Sequence, residues 1–179
     1  MKQPGINLFL VFFMLTGFIL TARGQGNVIK LNMFSPIVKT FNIQYEKKLK
    51  SDASFQLGFF YSNAPVGDTD ISGFGITPEY RLYLSDSEAP QGVYVAPFVR
   101  YQNFTLTRGS DKGTLSTIGG GLILGKQWLF KGKVILDMFL GPSYSSGSAQ
   151  LTSGSSSDFD TGPLTGYGVR AGICLGFAF

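Results

Sequence analysis

The 179-residue chain has no histidine, one cysteine and one tryptophan, and only 15% of its residues are charged. The absence of histidine excludes hydrolases that use an imidazole as the general base. The single cysteine, Cys174, excludes an intrachain disulfide. Beyond residue 24 no run of 18 consecutive apolar residues occurs, which excludes a second helical membrane span.

The first 24 residues have the features of a secretory signal peptide. Lys2 supplies a short basic region, residues 6–20 form an apolar stretch, and small residues follow up to Gly24. The apolar stretch is shorter than the roughly 20 residues of a membrane-spanning helix, which favours a cleaved signal over an uncleaved anchor. We therefore predict removal of residues 1–24 and one exported domain at residues 25–179.

The exported domain is close to charge balance. Loss of Lys2 and Arg23 with the signal leaves 13 basic residues against 11 acidic ones. Nucleic-acid binding needs a strongly basic surface, so nucleic acid is not expected as a partner.

The domain is rich in glycine and phenylalanine, with 24 and 17 residues in the whole chain, and apolar residues recur at every second position. This alternation, broken by Gly, Ser, Asp and Pro clusters, is typical of β-strands. Eight such segments occur, at about 28–35, 38–48, 53–62, 71–84, 92–106, 114–129, 133–146 and 165–179.

The connections between these segments are uneven. Short ones follow the second, fourth and sixth segments, and longer polar ones follow the third, fifth and seventh, at residues 62–70, 107–113 and 146–164. Short turns at one end and long loops at the other are typical of outer-membrane barrels. We predict an all-β fold, a single antiparallel up-and-down transmembrane β-barrel of eight strands, with ten strands as the alternative.

The two faces of the predicted strands distinguish a membrane barrel from a soluble one. In residues 168–179 the apolar row is Val169, Ala171, Ile173, Leu175, Phe177 and Phe179. The opposite row is small residues plus Arg170, which suits the crowded lumen of a narrow membrane barrel better than a water-facing surface. A lipocalin-like soluble barrel, with its apolar row inside, is the alternative.

Six charged residues fall on the predicted lumen face: Glu46, Glu79, Arg81, Arg100, Asp137 and Arg170. Three acids and three bases form a balanced set, and enclosed charges need partners because isolated ones are heavily penalised. We predict a structural network that plugs the lumen.

Aromatic residues fall near both ends of the predicted lipid face. Rings with a polar edge prefer the membrane interfaces, so these positions predict two girdles. The predicted girdle residues are Tyr45, Tyr61, Tyr80, Tyr101, Trp128, Tyr144 and Tyr167.

The last strand, VRAGICLGFAF, resembles the carboxy-terminal assembly signal of bacterial outer-membrane barrels, an alternating strand that ends in Phe179. The rest of the domain resembles the small eight-stranded OmpA/OmpX-like barrels. Residues 76–84 and 92–101 are similar to a poorly characterised Gram-negative group of them. The resemblance implies insertion by the barrel-assembly machinery and both termini in the periplasm, and it implies no reaction.

These observations predict an outer-membrane protein with a structural or surface-interaction role. The expected partners are outer-membrane lipid and lipopolysaccharide, together with a surface ligand bound through the three long loops. A monomer without cofactor, metal or catalytic activity is expected, because no catalytic constellation is recognisable. The alternatives are a narrow channel or transport accessory, a lipid-modifying enzyme and a lipocalin-like binder of hydrophobic ligands.

Overall fold

The computed structural model describes residues 26–84, 88–109, 111–153 and 165–179, and the predicted signal peptide lies outside them. Its eight strands are β1 (Asn27–Asn32), β2 (Thr40–Lys48), β3 (Ala53–Val66), β4 (Thr69–Tyr83), β5 (Gly92–Arg108), β6 (Asp111–Phe130), β7 (Val134–Ser153) and β8 (Gly166–Ala178). A single 3-10 turn at Ser35–Val38 joins β1 to β2. Within the described ranges, no helix has the length and apolar character needed to cross a membrane.

The eight strands form one closed antiparallel barrel in chain order. Closure is made by β1 and β8, which pair from Val28 opposite Ala178 to Asn32 opposite Cys174. Where β1 and β8 pair, the closed sheet has no free strand edge. The predicted all-β fold with eight up-and-down strands is confirmed.

Alternation along each strand separates an apolar outer face from a polar inner face. In β3, Phe55 and Tyr61 are 39% and 49% exposed, whereas Ser54 and Gln56 are fully buried. The other strands repeat this pattern, because successive side chains of a strand point to opposite faces of the sheet. The apolar row therefore lies outside the barrel, the reverse of a lipocalin-like arrangement.

The two ends of the barrel differ. The end at which both chain termini meet, here called the terminal end, carries the connections 49–52, 84–91 and 131–133. There the Asn27 amide donates to the Phe179 carbonyl at 3.1 Å. The opposite end, here called the distal end, carries the connections 33–39, 67–68, 109–110 and 154–165.

The prediction of long loops at residues 62–70 and 107–113 is wrong, because most of these residues belong to strands. Pairing of β3 with β4 continues to Val66 opposite Thr69, and pairing of β5 with β6 continues to Arg108 opposite Asp111. Gly67 and Gly109 adopt φ of 59° and 60°, a left-handed conformation that glycine adopts without strain and that tight hairpin turns favour. The polar residues beside them stay in the strands because the pairing uses backbone groups.

The third predicted loop, 146–164, is also shorter than expected. Residues 146–153 belong to β7 and pair with β6, while residues 154–164 lie outside the described residues. As a result, β3 to β7 extend farther at the distal end than β1, β2 and β8, and the barrel wall is uneven in height.

Candidate functional site

Lys30 lies at the centre of a charged network inside the terminal half of the barrel. Its Nζ donates to Glu46 Oε2 at 2.6 Å, to Asp137 Oδ2 at 2.9 Å and to Gln127 Oε1 at 2.9 Å. An ammonium has three protons, so this side chain has a partner for each of them.

Arg81 is the second cation of the network. Its Nη1 donates to Asp137 Oδ2 at 2.8 Å and to Gln127 Oε1 at 3.1 Å, and its Nη2 donates to Glu79 Oε1 at 3.0 Å. The guanidinium carbon lies 4.3 Å from the ring centroid of Tyr94, a cation–π contact. The rigid fork of arginine allows one side chain to link two carboxylates on different strands.

Neutral donors complete the hydrogen bonding of the carboxylates. Ser54 Oγ and Tyr83 Oη donate to Glu46 Oε1 at 2.5 and 2.6 Å. Tyr94 Oη donates to Asp137 Oδ1 at 2.7 Å. Each of these two carboxylates therefore has both oxygens bonded, which compensates for its removal from water.

The network joins every strand of the barrel. The residues that contribute, in strand order, are Lys30, Glu46, Gln56, Arg81, Tyr94, Gln127, Asp137 and Arg170. Such an arrangement fills the lumen with bonded side chains and fixes each strand relative to the others. Removing one member of a buried ion pair typically costs about 3–5 kcal/mol, because the remaining charge stays desolvated.

The connection between β4 and β5 covers the network at the terminal end. Gln127 Nε2 donates to the Pro90 carbonyl at 2.7 Å, and the Ala89 amide donates to the Ser51 carbonyl at 2.7 Å. On its outer side, Lys48 Nζ donates to Glu88 Oε2 at 2.6 Å. This hydrogen bond and the lysine charge hold the pKa of the exposed Glu88 carboxyl below its usual range.

Two further arginines lie on the distal side of the network. Arg170 forms an ion pair with Glu79 and lies over the rings of Phe98 and Phe139, at 4.6 and 4.9 Å from their centroids. Arg100 Nε donates to Thr77 Oγ1 at 3.2 Å. Within the described ranges, Arg100 has no carboxylate at ion-pair distance.

An apolar cluster lies toward the distal end, beyond the buried hydrogen bond that Thr117 Oγ1 donates to Gln102 Oε1 at 3.2 Å. Ile71, Phe104, Leu106 and Leu115 form a buried cluster against which Phe60 packs. A second apolar cluster, formed by Val28, Ile135 and Ala178, lies at the terminal end. Apolar clusters therefore lie on both sides of the charged network, with Arg100 and the Thr117–Gln102 hydrogen bond between the network and the distal cluster.

A family model described as "Protein of unknown function (DUF3575)" matches residues 9–153, which is most of the chain. The chain belongs to this family. The matched range includes β1 to β7, and the description assigns no activity to its members. No curated protein matches the chain significantly.

A solved structure supports the architecture independently. The N-terminal β-barrel domain of Pseudomonas aeruginosa OprF is similar to this chain, with a TM-score of 0.53 and 18% sequence identity. The similarity covers 87% of this chain and 98% of that domain. The predicted resemblance to small OmpA-like barrels is confirmed for the fold, and at this identity it extends no further.

The structure places the six predicted lumen charges inside the barrel but pairs them differently from the expectation. Glu46, Glu79, Arg81, Asp137 and Arg170 form ion pairs, whereas Arg100 has no such partner among the described residues. Lys30 takes its place, so the lumen holds four cations and three carboxylates rather than three of each.

Sequence reasoning missed Lys30, Gln127, Tyr83 and Tyr94. The signal for Lys30 was present, because it lies between the outward-facing Ile29 and Leu31 and alternation alone places it inside. The glycine that faces Tyr94 across the β5–β6 pair, Gly125, leaves room for the ring: a Cβ there would overlap it. Such small–large pairing across strands was the available signal for the buried tyrosine.

The remaining predicted positions lie on the outer face or at its ends. In β8, Val169, Ala171, Leu175 and Phe177 are exposed and Ile173 is partly buried, as is Phe179 beyond the strand. The tyrosines Tyr45, Tyr61, Tyr80, Tyr101, Tyr144 and Tyr167 are exposed, and Trp128 is partly buried. In the part of the chain that the structure describes, no three His, Cys, Asp or Glu side chains are placed to hold a metal ion.

Proposed function

We propose that the protein is an outer-membrane β-barrel with a plugged lumen, whose role is structural or depends on surface contacts made by its distal end. The observation that carries the proposal is that an apolar outer face surrounds a lumen in which the carboxylates of Glu46, Glu79 and Asp137 are all ion-paired. In lipid, a closed barrel satisfies every backbone group of its strands and exposes only apolar side chains to the hydrocarbon.

The height of the outer face supports a membrane location. Outward residues of β7 run from Val134 through Leu136 and Leu140 to Tyr144 without a charge. About ten residues at about 3.4 Å each, tilted by about 40°, span about 25 Å, which matches the apolar band of outer-membrane barrels. The tyrosine rings of Tyr144 and Tyr167, whose centroids are 4.9 Å apart, lie where a girdle is expected.

The lumen geometry supports a plugged barrel over the narrow-channel alternative. An ion path would have to pass Arg81, Glu46 and Asp137, whose side chains are fully buried. Both carboxylates form ion pairs with the Arg81 guanidinium. The apolar clusters on both sides of the network would also have to admit water. The proposal assigns no catalytic activity to the protein.

In the proposed topology the signal peptide is cleaved and the terminal end faces the periplasm. The distal hairpins, with turns at 67–68 and 109–110, then project from the cell surface, where they contact lipopolysaccharide or a surface ligand. Insertion depends on the barrel-assembly machinery through β8, and the barrel acts as a monomer.

Heat modifiability tests this proposal. The full chain, expressed in a Gram-negative host, should appear in the outer-membrane fraction and migrate differently on an SDS gel before and after boiling. A closed lipid barrel resists cold SDS, and the boiled half of each sample serves as the control. Recovery of the protein in the soluble periplasm, with no mobility shift, would contradict the proposal.

A further inference from the structure

The terminal end carries a group of lysines, here called the lysine rim: Lys47, Lys48, Lys50, Lys126, Lys131 and Lys133. Five of them are exposed, and the side chain of Lys48 is 27% exposed. None belongs to the lumen network, and the proposed function uses none of them.

The lysine rim forms an arc around half of the terminal end. The Ala178 amide donates to the Lys133 carbonyl at 2.7 Å, and the Lys48 amide donates to the Gly26 carbonyl at 2.7 Å. Because β8 and β1 are paired neighbours, these contacts connect the β6–β7 turn to the end of β2. The lysines of the two turns therefore flank the strands at which the barrel closes.

Two members of the lysine rim belong to the outer face of the barrel wall. Lys47 is exposed at the end of β2, where it pairs across the sheet with the outward-facing Phe55. Lys126 lies on β6, and its Nζ is 5.2 Å from the ring centroid of Trp128. Lys126 pairs across the sheet with Met138, within the apolar outward row of β7. Its long side chain therefore has to extend toward the terminal end, past Trp128, for the ammonium to reach the lipid headgroups.

Charge at the two ends is unequal. The described residues of the terminal end include six lysines but only two acids, Asp52 and Glu88. Glu88 forms an ion pair with Lys48. Asp86, in the same β4–β5 connection, lies outside the described residues, and with it the lysines are still in twofold excess. The described residues of the distal end carry equal numbers of bases and acids: Lys39, Arg108, Lys112, Asp68, Asp70 and Asp111.

We propose that the lysine rim binds the headgroups of anionic phospholipids in the leaflet that faces the terminal end. The inference rests on the proposed membrane location. Solvated lysines without a common role would be spread over both ends. These six are collected at one end, two of them beside Phe55 and Trp128, with half as many acids. Clusters of basic residues next to a membrane-embedded surface attract anionic headgroups, and this attraction weakens within a Debye length.

Lipid selectivity of the reconstituted barrel tests the inference. The full mature barrel is inserted into vesicles of phosphatidylcholine, and the association of spin-labelled phosphatidylglycerol is compared with that of spin-labelled phosphatidylcholine. We expect a preference of at least about threefold for phosphatidylglycerol at low salt, and close to none at about 1 M salt, where the Debye length is about 3 Å.

Two triple variants that lose the same charge distinguish lipid binding by the lysine rim from attraction by the net charge of the protein. Lys47→Gln, Lys126→Gln and Lys131→Gln together should remove most of the preference. The distal control, Lys39→Gln, Arg108→Gln and Lys112→Gln together, should keep it. An equal loss in both variants would overturn the inference, because attraction would then follow total charge.

The heat-dependent gel shift is recorded on every vesicle sample. A wild-type chain that shows no shift and does not insert would contradict the proposed function itself. A wild-type barrel that inserts, shifts on boiling and shows no preference for phosphatidylglycerol would overturn only the inference about the lysine rim.

Discussion

The terminal and distal halves of the lumen are filled by different interactions. In the terminal half, Lys30 and Arg81 bind three carboxylates that come from three different strands. In the distal half, Ile71, Phe104 and Leu115 pack together. Arg100, which has no carboxylate partner among the described residues, hydrogen-bonds Thr77 and lies 5.8 Å from the ring centroid of Phe60. The same alternating strands thus enclose a charged network in the terminal half and an apolar cluster in the distal half.

This difference affects how each half responds to damage. A buried ion network depends on every member, because loss of one charge leaves its partners desolvated and unpaired. An apolar cluster loses contacts in proportion to the atoms removed. A single substitution should therefore lower the free energy of unfolding more in the terminal half. In the distal half the loss should scale with the number of atoms removed.

The largest effect is expected for Arg81→Met. The substitution leaves Glu79 and Asp137 each without one cationic partner in a fully buried site. We expect the free energy of unfolding to fall by about 4 kcal/mol. Urea unfolding of the vesicle-inserted barrel, followed by Trp128 fluorescence, measures it. Arg81→Lys keeps the charge but not the forked guanidinium, so its unfolding free energy should lie between those of the wild type and Arg81→Met. A loss below about 1 kcal/mol for Arg81→Met would contradict the network.

Leu115→Ala tests the distal half. Leu115 is fully buried in the apolar cluster, so the substitution removes packed atoms and leaves a cavity. We expect a loss of about 3 kcal/mol in the same urea measurement. Leu122→Ala, on the outer face of the same strand, is the matched control and should cost about 1 kcal/mol or less. Equal losses at both positions would show that the distal cluster is not packed as described.

Arg100→Met should have a smaller effect than Arg81→Met although both remove an arginine from the lumen. The substitution removes one hydrogen bond, to Thr77, and two cation–π contacts at 5.8 Å, with Phe60 and Phe98. It leaves no buried carboxylate without its ion-pair partner. We expect a loss of about 1–2 kcal/mol. A loss as large as that of Arg81→Met, measured in parallel, would mean that Arg100 belongs to the ion network.

The smallest effect concerns the exposed pair at the terminal end. The Lys48 hydrogen bond and charge depress the pKa of Glu88, so the pair stabilises the fold above the usual carboxyl pKa. This contribution disappears as the pH falls through the lowered pKa of Glu88. Lys48→Gln should raise the pKa of Glu88 in an NMR titration of its side-chain carboxyl carbon, and added salt should do the same. No change in either case would contradict the pairing.

Much of the fold could be predicted from the sequence because alternation is a local property. The outward row of β3 and the inward positions of Glu46, Glu79 and Asp137 follow from a period of two alone. Turn lengths could not be predicted this way. The polar residues around Gly67 resemble a loop by composition, but they remain paired because backbone groups, not side chains, form the ladder.

The sequence predicts which charged residues lie in the lumen better than it predicts which of them contact one another. Alternation places Arg81 and Arg100 on one face equally well, yet only Arg81 meets carboxylates. The difference arises from depth within the barrel, which depends on strand register and tilt. Lys30, from the shortest strand, occupies the centre because closure places β1 beside β8.

The sequence by itself determined that this chain forms amphipathic strands, with the apolar row on one face and charges on the other, because side-chain direction in a strand depends only on position. The tertiary structure decided which charges meet. Lys30 and Asp137 are 107 residues apart in the chain and 2.9 Å apart in the lumen. Only closure of the barrel brings them together, since no local rule relates the first strand to the seventh.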